Sequence, residues 1–230
     1  MRDLAHWVPR PRPESTVLEG RFVRLEPFDA QRHGQQLFEA ATLADADQRF
    51  AYLPEFPPNS FEEFQPWLEA AEASEDPLYF AVIDRSTGRV EGRQTLMRID
   101  PANGVIETGH IFWGGNIART PVTTEAFYLF AEYVFDTLGY RRFEWKCNNA
   151  NEPSKRAAER FGMTAEGVFR QAAVVKGANR DTAWYASIDT EWPALKTALE
   201  TWLDPSNFGD DGAQKQSLAD LTRPILVATG

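Results

Sequence analysis

The sequence of 230 residues is poor in the groups that carry much familiar chemistry. It has one cysteine, Cys147, and three histidines, His6, His33 and His110. One thiol cannot close a disulfide within the chain, and the scattered histidines show no metal-ligand spacing, so neither a structural zinc nor any other metal is expected. Positive charge is also short. The 24 Lys and Arg against 34 Asp and Glu leave a net charge of -10, which repels phosphate polymers and anionic lipid, so neither nucleic acid nor a membrane is an expected partner. No run approaches the roughly 18 consecutive apolar residues of a membrane span. The first fifteen residues lack the apolar centre of a secretion signal, and a cytoplasmic location is expected. The motifs GxSxG, GK[ST] and HExxH are absent, which removes the common serine-hydrolase, P-loop and zinc-protease readings.

What is present is core material, sixteen Phe and seven Trp, arranged in readable periods. RFVRLEP (21–27) alternates like a strand, and residues 29–46 carry Leu37, Phe38 and Ala41 on one helical face. Ser60 stands where a cap would begin a second helix over FEEFQPWLEAAEAS. LYFAVID, EGRQTLMRID and VIETGHIFW read as an antiparallel meander turning at Ser86-Thr87-Gly88 and Asn103-Gly104. TEAFYLFAEYVFDTLG is a helix closed by Gly139, followed by the strand RRFEWKC and a short helix over residues 152–161 closed by Gly162. TAEGVFRQ and DTAWYASID are two further strands before the helix EWPALKTALETWL. The expected class is α+β: a mixed, mostly antiparallel sheet of about seven strands flanked by helices, with one crossover that splays strands four and five apart. A proline-rich arm (1–17), a single domain (18–203) and a Gly/Asp/Ser-rich tail (204–230) complete the expected organisation. Trp7 favours an arm lying on the domain.

The order and motifs of residues 18–192 resemble the GNAT superfamily of acyl-CoA-dependent N-acetyltransferases, in its RimJ/RimL-type branch. LEGRFVRLEP is similar to that branch's first strand and IETGHIFW to its fourth. TTEAFYLFAEYVFDTLGYRRFEWKCNNANEPSKRAAERFGMTAEGVFR is similar to its most typical block, in which Asn151, Ser154 and Gly162 keep the motif spacing. The resemblance implies acetyl-CoA as co-substrate and transfer of its acetyl group to a primary amine, on a peptide N-terminus or a small molecule, by direct attack in a ternary complex. A homodimer is compatible with it. A non-catalytic acyl-CoA sensor is the alternative, because the chain departs from the pattern. The glycines of the usual loop before the TEA helix are replaced in Ala118-Arg119-Thr120-Pro121-Val122-Thr123, and Ala158 stands where many relatives have a tyrosine.

Physical chemistry partly restores the missing loop. Thr120 can cap the helix and Pro121 suits its first position. The NH groups of Val122, Thr123 and Thr124 are then left for a pyrophosphate, with Arg119 as a charged donor. Residues 141–170 carry seven basic and four acidic side chains, against the negative balance of the whole. An alkyl ammonium is only about one part in a thousand free base at pH 7, a deficit of roughly 4 kcal/mol that a base or a dry pocket must offset. The resemblance puts that base on strand four, where Glu107 is the first candidate and His110 the second. Three residues apart, they face opposite ways on a regular strand unless a bulge intervenes, as the resemblance makes common in this strand. Backbone NH groups of Ile111, Phe112 and Trp113 are candidates for the oxyanion, and Asn151 for the pantetheine amides. Ser154 is the expected donor to the leaving thiolate, doubling as a helix cap.

Overall fold

A computed structural model describes residues 3–230. The chain begins with the expected arm, which lies on the domain. The Trp7 indole donates to the Ala102 carbonyl (2.7 Å) and Arg10 stacks over the Trp7 ring. Strands β1 (Leu18–Glu19) and β2 (Val23–Pro27) open the sheet. Helix α1 (Ala30–Ala41) follows, capped by Asp29, whose carboxylate accepts from the Arg32 NH. The single helix expected over residues 29–46 stops early, at Thr42, and a second short helix, α2 (Ala46–Phe50), follows. Ser60 caps α3 (Phe61–Ala73) by accepting from the Glu63 NH, as its position predicts. The meander is β3 (Leu78–Asp84), β4 (Arg89–Asp100) and β5 (Val105–Trp113). Its turns use Gly88 and Gly104 at positive φ, 70° and 61°, a region glycine enters without strain.

Helix α4 (Pro121–Glu132) widens into a π-turn over Tyr133–Thr137 and returns the chain to β6 (Arg142–Asn148), which lies parallel to β5. Helix α5 (Glu152–Arg160), strands β7 (Thr164–Val175) and β8 (Ala178–Ile188), helix α6 (Trp192–Leu203) and the short α7 (Leu218–Thr222) complete it. The sheet has eight strands in the order β1-β2-β3-β4-β5-β6-β8-β7. The β7–β8 hairpin runs well past the strand lengths the sequence suggested, because its outer half is exposed and carries no buried alternation to read. Residues after Asp204 dock rather than trail: Leu218 and Thr222 are fully buried, and the Thr222 hydroxyl bonds the Arg160 carbonyl.

One face of the sheet packs on α4 and α6 through Phe80, Phe130, Phe143 and Leu199; the other packs on α1 and α3 through Leu37, Leu68 and Phe112. Glu125 fixes α4 to the first hairpin, its carboxylate accepting from the backbone NH groups of Arg21 (2.8 Å), Phe22 (2.5 Å) and Val23 (2.8 Å). No helix among the described residues is long and apolar enough to cross a membrane.

Candidate active site

Strands β5 and β6 are paired only from Val105–Thr108 against residues 142–145. Beyond Thr108 they diverge, and a cleft of about 170 Å³ opens between them. Its position follows from a bulge. Between the pairs Thr95↔Gly109 and Arg93↔Phe112, β5 has one residue more than β4, and His110 takes φ 46° to accommodate it. An extra residue reverses the facing of everything after it. Glu107 and His110 therefore line the same cleft, contrary to the opposite facing expected of a regular strand. Ile111 lines it too, whereas the side chains of Phe112 and Trp113 turn into the two cores. Phe112 packs on Phe50 (5.0 Å between centroids) and the Trp113 indole donates to Gln94 (3.1 Å). Any part these two have in the cleft is left to their backbone.

Two charge systems lie along and behind its wall. Lys146, 5% exposed at its side chain, places Nζ 2.7 Å from Glu107 Oε2 and 2.7 Å from Glu144 Oε2, over the Trp184 ring. Arg98 reaches the same Glu107 oxygen at 2.9 Å. Burial works against the Glu144 charge, but Lys146 and Arg142 outweigh it and hold the carboxyl below its usual range. The second system centres on His110, whose Nδ1 lies 3.6 Å from Glu55 Oε1, an ion-pair distance too long for a hydrogen bond. Arg93, 2% exposed, donates to the His110 carbonyl (2.7 Å) and pairs with Glu55 (3.3 Å), its guanidinium stacked on Trp67. Burial again opposes the charge of Glu55, yet His110 and Arg93 hold its carboxyl down to about 2. Sequence reading missed Glu55 and Arg93, which come from a loop and a neighbouring strand and carry no spacing signal.

The opposite wall is α5, and here one expected role changes hands. Asn151 is the N-cap, its Oδ1 accepting from the Ser154 NH (3.2 Å). Ser154 sits one turn in, so its hydroxyl does not cap the helix. Instead Ser154 Oγ accepts from the Trp145 indole (3.0 Å), which leaves its own proton to donate. Cys147 is buried core, as expected, and also borders the cleft; burial pushes its thiol up and a hydrogen bond from Ser154 pulls part of the way back. Two separate stability losses follow. Asn151→Ala is expected to cost about 1 kcal/mol as a lost cap, and Ser154→Ala about 1 kcal/mol by orphaning the Trp145 NH. Turnover should fall, by about tenfold, only in the serine variant. Urea melts and initial rates on both variants check this, and an unchanged rate in Ser154→Ala leaves the hydroxyl a structural role alone.

The turn before α4 is built differently from a glycine loop. Its left-handed residue is Arg119, at φ 64°. Thr120 is the N-cap by position, but its hydroxyl bonds back to the Ile117 carbonyl (2.6 Å). It therefore satisfies no forward NH. Val122 and Thr123 stay open to an anion, while Thr124, at the fourth helical position, has its NH directed at the N-cap carbonyl. The Thr124 hydroxyl is buried and takes a bond from Arg160 (3.0 Å). What the turn offers an anion thus narrows to two NH groups plus Arg119. A larger cavity, about 580 Å³, opens beside the turn between Arg21, Arg85 and Val122. It holds none of the titratable groups of the cleft, so the chemistry belongs to the smaller space. Among the described residues no group of three or more His, Cys, Asp or Glu side chains could hold a metal.

Residues 23–164 match the family model described as an acetyltransferase (GNAT) domain. The search of curated proteins returned no match. Among solved structures, a GCN5-related N-acetyltransferase from Brucella melitensis is 59% identical with a TM-score of 0.93, over 94% of this chain and 98% of that one. A probable acetyltransferase (GNAT family) from Chromobacterium violaceum is 36% identical with a TM-score of 0.78, over 84% and 96%. The Microcin C7 self immunity acetyltransferase MccE, solved with acetyl-CoA and AMP, shares the fold at 21% identity and a TM-score of 0.65, over 74% and 93%. With the model spanning more than half of the sequence, and the Brucella structure nearly all of it, the chain belongs to the GNAT family and is an acetyl-CoA-dependent acetyltransferase.

Proposed function

We propose that the protein acetylates a primary amine, on a peptide N-terminus or a small molecule, with both substrates in the cleft at once. The Asn151, Ser154 and Gly162 spacing resembles that of the RimJ/RimL-type enzymes and supports a reading within that branch. A single cysteine, which cannot close a disulfide within the chain, supports a cytoplasmic setting. The observation that carries this reading is the bulge at His110, which brings an imidazole backed by Glu55 into the same cleft as the Ser154 hydroxyl. Acetyl-CoA supplies the acetyl thioester. The amine nitrogen forms its bond to the acetyl carbon as the carbon–sulfur bond breaks, giving an amide and CoA thiol. His110 receives the proton the nitrogen sheds, and the departing sulfur takes a proton from the Ser154 hydroxyl, which is replenished from solvent as His110 gives its proton up.

Glu107 takes a different part. Its Oε2 is already shared by Arg98 and Lys146, so its task is to draw the ammonium form into the cleft before deprotonation. Backbone NH groups of residues 111–113 lie on the diverging stretch and can meet the oxyanion. CoA-thiol release measured over a panel of amines and peptides tests the reading, and silence on every amine would overturn it. The anion cradle has its own test. Arg119→Glu should weaken acetyl-CoA binding by about tenfold or more while sparing pantetheine fragments without the pyrophosphate; equal losses for both ligands would move the phosphate site elsewhere.

A further inference from the structure

The cations that border the cleft are matched, with one exception. Arg49 pairs with Asp45 (2.5 Å) and donates to the Trp113 carbonyl (2.9 Å). Arg98 and Lys146 share Glu107, and Lys146 also holds Glu144. Arg180 has neither an ion pair nor a hydrogen bond among the described residues, and its Nε is buried without a partner. A buried donor left unmade costs stability, so such a group in a cleft marks a place where the partner comes from outside the chain.

The location of Arg180 decides what that partner is. On β8 it follows the alternation of Thr182 and Trp184, the side on which Lys146 stacks and which Glu107 shares. That is the face of the sheet toward α1 and α3, remote from the turn before α4, none of whose residues lines this cleft. A CoA phosphate held at that turn is therefore not what Arg180 awaits. The cleft is small, about 170 Å³, and its wall presents one carboxylate with an unengaged oxygen, Glu107 Oε1, and, farther along the same face on β8, one unpaired guanidinium. A planar guanidinium matches a carboxylate through two parallel NH donors. Ammonium toward Glu107 and carboxylate toward Arg180 is the complement of a zwitterion whose two charges stand apart.

Resting on the acetyl-transfer reading above, we propose that the acceptor is an amino acid, an amine that carries a free carboxylate, with Arg180 as the residue that selects for the carboxylate. A peptide N-terminus, with an amide where the acid would be, leaves Arg180 unpaired and is the poorer substrate.

The test uses the full chain with saturating acetyl-CoA, CoA-thiol release and mass detection of the acetylated product. The panel contains free amino acids, their carboxamides, the corresponding decarboxylated amines and short peptides. The expected result is a preference for each acid over its carboxamide of at least about tenfold in kcat/KM, carried mainly by KM. Arg180→Gln should collapse that preference toward one, and Arg180→Lys should restore part of it. Carboxamides or peptides turned over as well as acids would overturn the proposal and leave acetyl transfer to amines standing. So would a variant in which acids and carboxamides decline together, because the guanidinium would then be structural. If no amine of any kind reacts while acetyl-CoA still raises the melting temperature, the proposal falls together with the reading beneath it. Should Arg180→Gln fail to fold, the acid-to-carboxamide ratio of the unaltered protein decides alone.

Discussion

Replacing His110 with Ala is expected to lower turnover by roughly 10²–10⁴-fold at neutral pH, the range a general base contributes, with acetyl-CoA binding retained. The bulge gives the imidazole access to the cleft, and the Glu55–Arg93 pair behind it fixes where the ring sits. Glu55→Gln should act through position, lowering kcat more than it changes KM. Because the Glu55 carboxyl is held down to about 2, it stays ionised across the working range. Any inflection of the rate between about pH 5 and 8 then belongs to other groups. Glu107→Gln separates the two candidates on β5. A modest loss there, felt chiefly in KM, fits a carboxylate that attracts the ammonium. A dead Glu107→Gln beside a nearly normal His110→Ala would transfer the role of base to Glu107.

The sequence foretold the elements better than the site, for a physical reason. Strand alternation, helical periodicity and the punctuation of Ser60, Gly88, Gly104, Gly139 and Gly162 are local, and these five residues are used in the structure as read. The resemblance placed the cleft on β5 and α5. A bulge leaves no mark in an alternating strand, so alternation alone sets Glu107 and His110 on opposite faces; only the resemblance allowed for the bulge that the structure has at His110. Ser154 was expected to cap α5 because it stands near a proline at the helix start, yet the cap belongs to Asn151, three residues earlier. Glu55, Arg93 and Arg180 gain their meaning only from contacts between distant segments. Tyr52 joins the loop after α2 to the Ala150 carbonyl (3.0 Å), and Lys176 ties the hairpin tip to the Phe50 carbonyl (2.8 Å). Both are tertiary bonds across the rim that no spacing announces.

Lys146→Met should destabilise the protein by about 3 kcal/mol at neutral pH, toward the lower end for a buried ion network that loses one partner. The reason lies in register. Glu107 and Glu144 stand directly opposite each other in the parallel β5–β6 pair, and like charges so placed repel. Lys146, two residues on from Glu144 and on the same face, brings one ammonium within 2.7 Å of both carboxylates. Methionine keeps the length and the contact with Trp184 but removes the charge. Arg98 and Arg142 still hold one carboxylate each, which keeps the loss below that of an unpaired buried charge. The loss should depend on pH with a definite sign. Glu144 has its folded pKa depressed, so the stability it contributes is present above its unfolded pKa and disappears as pH falls through the folded one. The gap between the unaltered protein and Lys146→Met should therefore be widest near pH 7 and should narrow as the medium is acidified below about pH 4.5, where unfolded glutamates begin to take up protons. Urea denaturation of both proteins at a series of pH values measures that gap. A gap that stays constant with pH would mean that Lys146 acts through packing against Trp184 rather than by separating the two carboxylates.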